Sequence, residues 1–488
     1  MTSRPLTRPH PRGLFCMCGV EVFERFSFYA TMAVFIYYLY WGADQGGLGM
    51  DVADATALSG AFCSVVYLTA AVGGWIADRI YGLEKVLFIA LAFCFIGYLS
   101  LALVPGMFGV AGGVLFVGFG TGGVKVVSAS ITGQLYDPDD PLLDGGFSYL
   151  YLFINVGAFF GPLVAAVMRR EAGFHWAFGL SAMVMVAALV LYLLTRDRLV
   201  SLPKKPPYPL EENMDVESFT ITAFTLTFAV LVGFGAIPVV GLPHVAALAA
   251  FCIAVFVFFQ LLTQVEVGPS ERRRVVGYVP MFVAMVVFYA VFKQRSTVLA
   301  VYYDRRVDRN VFGYELSPEM INALNPLFVI ALGWLLAWVF TRLGHRQPTT
   351  PTKYGVGIIL TGIAMLLFIP YVSTEANSTP LLVIAGIILL FTISELLLNP
   401  TGQSLVTRMA PAAFPARMMA LQNLAQSIGA SVAGSVGGFY ISSDPVSEMM
   451  YFSTIGIITV TFGVLLMLLK TWMDAQFQGD LGSRASSH

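Results

Sequence analysis

The chain has 488 residues, of which 57% are hydrophobic and only 12% charged, and its net charge is −1. A water-soluble chain of this length carries about a quarter of its residues as Asp, Glu, Lys and Arg. This one has too little polar surface for water, so lipid solvates much of it. A near-neutral charge gives no footing for a nucleic-acid partner. Arg4, Arg8 and Arg12 precede an apolar run at about 14–41. That run is too long for a cleaved signal core and holds Glu21, Glu24 and Arg25, so it reads as a first permanent span. Further spans are expected at about 54–77, 85–104, 107–133, 146–168 and 174–195. A polar linker runs from Arg196 to about Val216, with Lys204 and Lys205 among Pro203, Pro206, Pro207 and Pro209. Two spans follow at about 217–237 and 243–265, then six more at about 277–303, 319–341, 354–373, 380–407, 414–440 and 449–471.

The expectation is therefore an all-α integral membrane protein of about fourteen spans, in a six, two, six pattern. Residues 1–195 make an N-terminal six-helix bundle, 196–216 a cytoplasmic linker and 217–271 two inserted helices. Residues 272–472 make a C-terminal six-helix bundle and 473–488 a cytoplasmic tail. Charge orients the ladder. Nineteen Lys and Arg residues fall on the loops of one side and five on the other, with Arg25, Lys125, Lys293 and Arg295 inside spans. The positive-inside rule puts both termini in the cytoplasm.

Gly73-Gly74-Trp75-Ile76-Ala77-Asp78-Arg79, followed by Gly82 and Lys85, joins the second and third spans. Arg342, Gly344 and Arg346 occupy the matching loop of the second half. The pattern resembles the characteristic loop motif of the major facilitator superfamily. Its charges can cap helix ends, and its glycines allow a tight turn.

Seven ionisable residues lie inside the spans: Glu21, Glu24, Arg25, Lys125, Lys293, Arg295 and Glu395. Each costs about 2.5–3.5 kcal/mol at a helix centre, on the order of 20 kcal/mol together, so they face a wet cavity or one another. By helical rise, Glu21 lies about 10 Å from the inner end of the first span, and Lys125 about 12 Å from that of the fourth. Glu21, Glu24 and Arg25 share a face, and an acid beside a cation it can release is a candidate proton site. His10, His345 and His488 lie in loops or tails, and His175 and His244 near span ends. Any proton coupling must then run through carboxylates. Cys16, Cys18, Cys63, Cys94 and Cys252 lie in or beside apolar segments without a CxxC pair, so they read as core residues and no metal is expected.

Glu21-Val22-Phe23-Glu24-Arg25-Phe26-Ser27-Phe28-Tyr29 resembles the ExxERFxYY motif of the proton-dependent oligopeptide transporter family, with Phe28 in place of the first tyrosine. Phe147-Ser148-Tyr149 through Ile154-Asn155-Val156-Gly157-Ala158 is similar to that family's fifth-helix signature. Asn325-Pro326 and Ser394-Glu395 through Asn399-Pro400 and Gly402 match its eighth and tenth helices. The resemblance runs from about residue 14 to 471 and implies a major facilitator fold, with the two inserted helices common in bacterial members. It implies a proton-coupled symporter importing di- and tripeptides across a bacterial inner membrane by alternating access. The partners would be small peptides, protons and lipid, with no cofactor beyond the proton and no protein partner.

By the same resemblance, Asn155, Asn325 and Glu395 would hold the peptide's ammonium end and Lys125 would face its carboxylate. Glu21, Glu24, Arg25 and Lys125 would couple proton to substrate, and Tyr29 and Tyr67 would line the pocket. Met32 stands where the family often has arginine, Phe292-Lys293-Gln294 replaces FEQ, and Val124-Lys125-Val126-Val127 replaces its glycine-lysine-proline. An arginine–acid gate between the first and seventh helices is thus absent on both sides, which strands neither charge. Lys293 is expected to pair with Glu395 when no substrate is bound, as a gate or autoinhibitory contact. Met32 and Lys293 also suggest a rival, a carrier of the same fold for another anionic or amino-acid-like solute. A transport-incompetent membrane sensor is a third reading. Gly118-Phe119-Gly120-Thr121-Gly122-Gly123 fits GxGxxG but lies in a span, so close helix packing explains it. No GxSxG, HExxH or Walker A pattern supports an enzyme.

Overall fold

Long apolar stretches become helices in lipid because only a helix satisfies its own backbone there. The computed structural model follows this rule and describes residues 9–137, 140, 142–199, 241–343, 346–372, 378–411, 414–441 and 444–477. The expected span at 217–237, most of the linker, His345 and the end of the tail lie outside the described residues. The first helices are α1 (Arg12–Tyr40), α2 (Val52–Ile76, continued as a π turn over Ala77–Tyr81), α3 (Leu83–Leu103), α4 (Gly106–Gln134), α5 (Leu143–Ala172) and α6 (Phe174–Thr195). After the undescribed stretch come α7 (Leu242–Thr263), α8 (Pro269–Phe292), α9 (Val298–Arg305), α10 (Leu324–Leu343), α11 (Thr350–Leu366), α12 (Leu381–Met409), α13 (Pro415–Ser435), α14 (Pro445–Leu468) and a short α15 (Lys470–Phe477).

Among the described residues, eleven helical segments are long and apolar enough to cross a membrane. α1 and α13 are long enough but diluted by polar residues, Glu21, Glu24 and Arg25 in one and Gln422, Asn423 and Gln426 in the other. One expected span, 277–303, is not a single helix. A 3₁₀ turn over Lys293–Ser296 separates α8 from α9. The turn is held by Tyr451, whose hydroxyl donates to Gln294 Oε1 at 3.1 Å. Among the described residues, four two-residue strands decorate the loops: Val307–Asp308 pairs in parallel with Thr379–Pro380, and Asn310–Val311 antiparallel with Tyr314–Glu315.

The described residues form two compact units that do not divide at the linker. The first takes the described residues up to Val34 and from Thr69 to Leu199. In it α3 packs on α4 and α6, and α5 on α6. The glycine run of α4 works as packing: a Cβ on Gly120 would press 2.6 Å from Cys94 N and 2.7 Å from Ala90 O of α3. Gly157 of α5 likewise lies against the α1 backbone, where a side chain would collide with Val22 O.

The second unit takes Phe35–Leu68 and the described residues from Gly241 on. The C-terminal end of α1, from Phe35, and most of α2, up to Leu68, thus cluster with the C-terminal helices. A Cβ on Gly60 would meet Gly434 Cα at 2.6 Å, so the α2 and α13 backbones nearly touch. Hydroxyls finish the contact. Tyr37 donates to Ala300 O at 3.1 Å, Ser59 to Ser296 O at 2.7 Å, and Ser64 and Ser427 share a hydrogen bond of 2.7 Å. Tyr40 and Trp41 both donate to Asp304 Oδ2, at 2.5 and 3.0 Å.

Candidate functional site

In the first unit the site begins with three residues on two successive turns of α1. Glu21, Glu24 and Arg25 are 2%, 0% and 8% exposed. Helical spacing puts Glu21 one turn before Arg25, and Arg25 Nε lies 3.3 Å from Glu21 Oε2 and 2.6 Å from Glu24 Oε2. One guanidinium therefore bridges two carboxylates. Thr121 of α4 donates to Glu24 Oε1 at 2.8 Å, and Arg25 sits 5.8 Å above the Phe28 ring. An aromatic face is all that contact needs, which explains why phenylalanine serves at position 28. Lys125 is half-buried on α4, one turn beyond Thr121. α4 runs antiparallel to α1, so that turn brings Lys125 to the depth of Glu21.

Tyr29 contacts Phe28 edge to face, with ring centroids 5.4 Å apart. Asn155 of α5 is 8% exposed, and its amide donates to Tyr151 O of its own helix at 2.8 Å.

The second unit holds a separate polar cluster. Asn325 of α10 donates at 2.9 Å both to Glu395 Oε2 and to Thr392 Oγ1 of α12. Asn399, one turn beyond Glu395, donates to Glu395 Oε1 at 3.4 Å and accepts from the Tyr289 hydroxyl at 2.5 Å. A single half-buried acid is thus fixed on both oxygens by amides. Lys293 behaves differently from expectation. Its ammonium donates to the Tyr67 hydroxyl at 3.0 Å and lies 5.0 Å from that ring's centroid, while Glu395 takes the two amides. The 3₁₀ turn at Lys293 ends α8 and re-aims the side chain at α2, a geometry that helical spacing alone does not foresee. Tyr67 in turn packs 6.4 Å from Tyr289.

Within each unit, then, the structure joins Glu21, Glu24 and Arg25, and joins Asn325 with Glu395 and Lys293 with Tyr67. Thr121, Thr392, Tyr289 and Asn399 were not foreseen as site residues. Asn399 was legible, since it lies four residues after an intramembrane acid on the same face. Thr121 was hidden in a glycine run read only as packing. The arrangement can hold a proton on a carboxylate beside a releasable cation, and can present an oriented carboxylate to an ammonium group.

A sequence profile of the POT family matches residues 84–448. The chain belongs to the POT family. The uncharacterized transporter YclF of Bacillus subtilis strain 168 is 33% identical to it, over 97% of this chain and 96% of that one. A di-/tripeptide transporter of Lactococcus lactis subsp. cremoris is 30% identical, over 94% of this chain and 95% of that one. Among solved structures, a mutant peptide transporter POT in complex with alafosfalin superposes with a TM-score of 0.89 at 33% identity, covering 97% of both chains. This POT chain is therefore a multi-pass membrane transporter rather than an enzyme, and its fold is the major facilitator fold of those transporters.

Proposed function

We propose that this POT family member is a proton-coupled symporter that imports di- and tripeptides by alternating access, in a bacterial inner membrane with both termini cytoplasmic. The observation that carries the reading is the buried Arg25, 3.3 Å from Glu21 and 2.6 Å from Glu24. Two acids and a cation at that depth are too costly to keep without use. Proton uptake by one carboxylate would loosen its hold on Arg25 and leave positive charge near Lys125 to meet a peptide carboxylate. Asn325 and Glu395, with Asn155, would take the ammonium end, since an acid held by amides on both oxygens is a preformed cation site. Tyr29 and Tyr67 would offer aromatic area, which tolerates varied peptide side chains. Identity to a di-/tripeptide transporter over nearly the full length supports the substrate class.

The deciding experiment is dialanine uptake by proteoliposomes under an inward proton gradient, with and without uncoupler. Accumulation that collapses with uncoupler, and that Glu24→Gln abolishes while dialanine exchange persists, supports the proposal. Dialanine exchange in the wild type without gradient-driven accumulation rejects the coupling. No dialanine movement in folded protein rejects the substrate and points to another amino-acid-like or anionic solute.

A further inference from the structure

A cavity of about 620 Å³ opens in the second unit among α10, α11, α12 and α15. It is not part of the Glu395 cluster. At the helical repeat of α12, its lining residues Pro400, Ser404 and Arg408 lie on the side of the helix away from Glu395 and Asn399. The lining combines two cations, Lys353 and Arg408, with the hydroxyls of Thr349, Thr350, Thr401 and Ser404. Lys353 donates to Gln347 Oε1 at 3.0 Å and lies 4.2 Å over the Phe340 ring. Among the described residues, neither Lys353 nor Arg408 forms a salt bridge, and Arg408 is close enough for Lys353 to feel its charge. The one acid in the wall is Asp474 of α15.

Two cations against a single acid leave the wall with an excess of positive charge, which points to an anion with oxygen acceptors. The location narrows its source. The cavity sits at the ends of α10 and α12 and the start of α11, on the side whose loops carry most Lys and Arg, and α15 closes it. At the same level of α10 but on its far face, Trp334 and Trp338 are exposed, with Arg342 5.0 Å over Trp338. Exposed tryptophans beside arginine mark the headgroup level of a bilayer, and basic pockets between spans at that level suit acidic lipid headgroups.

We propose that this cavity holds the phosphate of an anionic phospholipid from the adjoining leaflet, with Arg408 and Lys353 as its charged contacts and the Thr and Ser hydroxyls completing the cradle. Free phosphate shares the chemistry but not the acyl chains, so the test separates the two.

Detergent-purified full-length protein is titrated with phosphatidylglycerol, with phosphatidylcholine and with inorganic phosphate, and retained lipid is read by native mass spectrometry. Phosphatidylglycerol is expected to remain bound under conditions that strip phosphatidylcholine, and millimolar phosphate is expected not to displace it. Lys353→Gln with Arg408→Gln should weaken phosphatidylglycerol retention about thirtyfold. Arg408→Lys should keep most of it, which separates lost charge from lost folding. Asp474→Asn should tighten it. Equal retention by wild type and the double variant, or equal retention of the two lipids, overturns the proposal. Displacement by inorganic phosphate overturns the lipid source and assigns the cavity to a soluble phosphate.

Discussion

A guanidinium between two carboxylates sets how the residue scale reads. Glu24 accepts from Thr121 at 2.8 Å as well as facing Arg25, so it is the acid tied to two helices and the one whose protonation would be felt by both. Asn325 is the orienting partner of Glu395, and Asn325→Ala should raise the dialanine KM about fivefold, the equivalent of one hydrogen bond of about 1 kcal/mol. Transport kinetics in proteoliposomes check this, and an unchanged KM would place the ammonium elsewhere. Lys293 and Tyr67 should be energetically coupled. A thermal-unfolding cycle of Lys293→Met and Tyr67→Phe is expected to give about 1 kcal/mol of interaction; additive effects would mean the contact contributes nothing. The charges themselves were legible in the sequence, because a charge in an apolar run stands out by cost alone. Their partners were less so: i, i+4 spacing foretold Arg25 with Glu21, but the partner of Lys293 depended on a helix break.

At the scale of elements, small residues decide how closely helices approach. α5 can cross α1 beside the Glu21–Arg25 segment only because Gly157 has no side chain to strike Val22 O. Gly157→Val should overpack that crossing and cost about 1–3 kcal/mol, read as a lower unfolding temperature with weaker proton-driven uptake. Unchanged stability would show that the crossing can spread freely. The spans were visible from apolar length, and the Gly118–Gly123 run was visible as packing. The 3₁₀ turn at Lys293–Ser296 was not visible, since nothing in Phe292-Lys293-Gln294-Arg295 breaks a helix by propensity. It is a tertiary feature, held by the Tyr451 contact to Gln294.

At the scale of the whole molecule, the second unit includes the C-terminal end of α1 from Phe35 and α2 up to Leu68. If the protein alternates as proposed, that segment must part from the C-terminal helices to open the outer side. Asp304 is its most concentrated tie, accepting from both Tyr40 and Trp41. Asp304→Ala removes the acceptor of both donors and should cost about 1–3 kcal/mol. It should also raise labelling of the buried Cys63 by an impermeant maleimide from outside, in a Cys252→Ser background. Labelling equal to that of the parent would mean that other contacts hold the segment.

Read alone, the sequence determined the solvent, the family, the seven charges that lipid would not tolerate and, among the described residues, the spans apart from the break at Lys293–Ser296. Each of these follows from composition, length or local spacing, which a linear chain displays directly. Only the tertiary structure decided which helix each half-span joins, that Lys293 turns to Tyr67, that Thr121 and Asn399 complete the polar clusters, and that Lys353 and Arg408 share one cavity. Those outcomes depend on backbones brought close by glycines and on side chains far apart in the chain. Such distances are set by packing, not by spacing along the sequence.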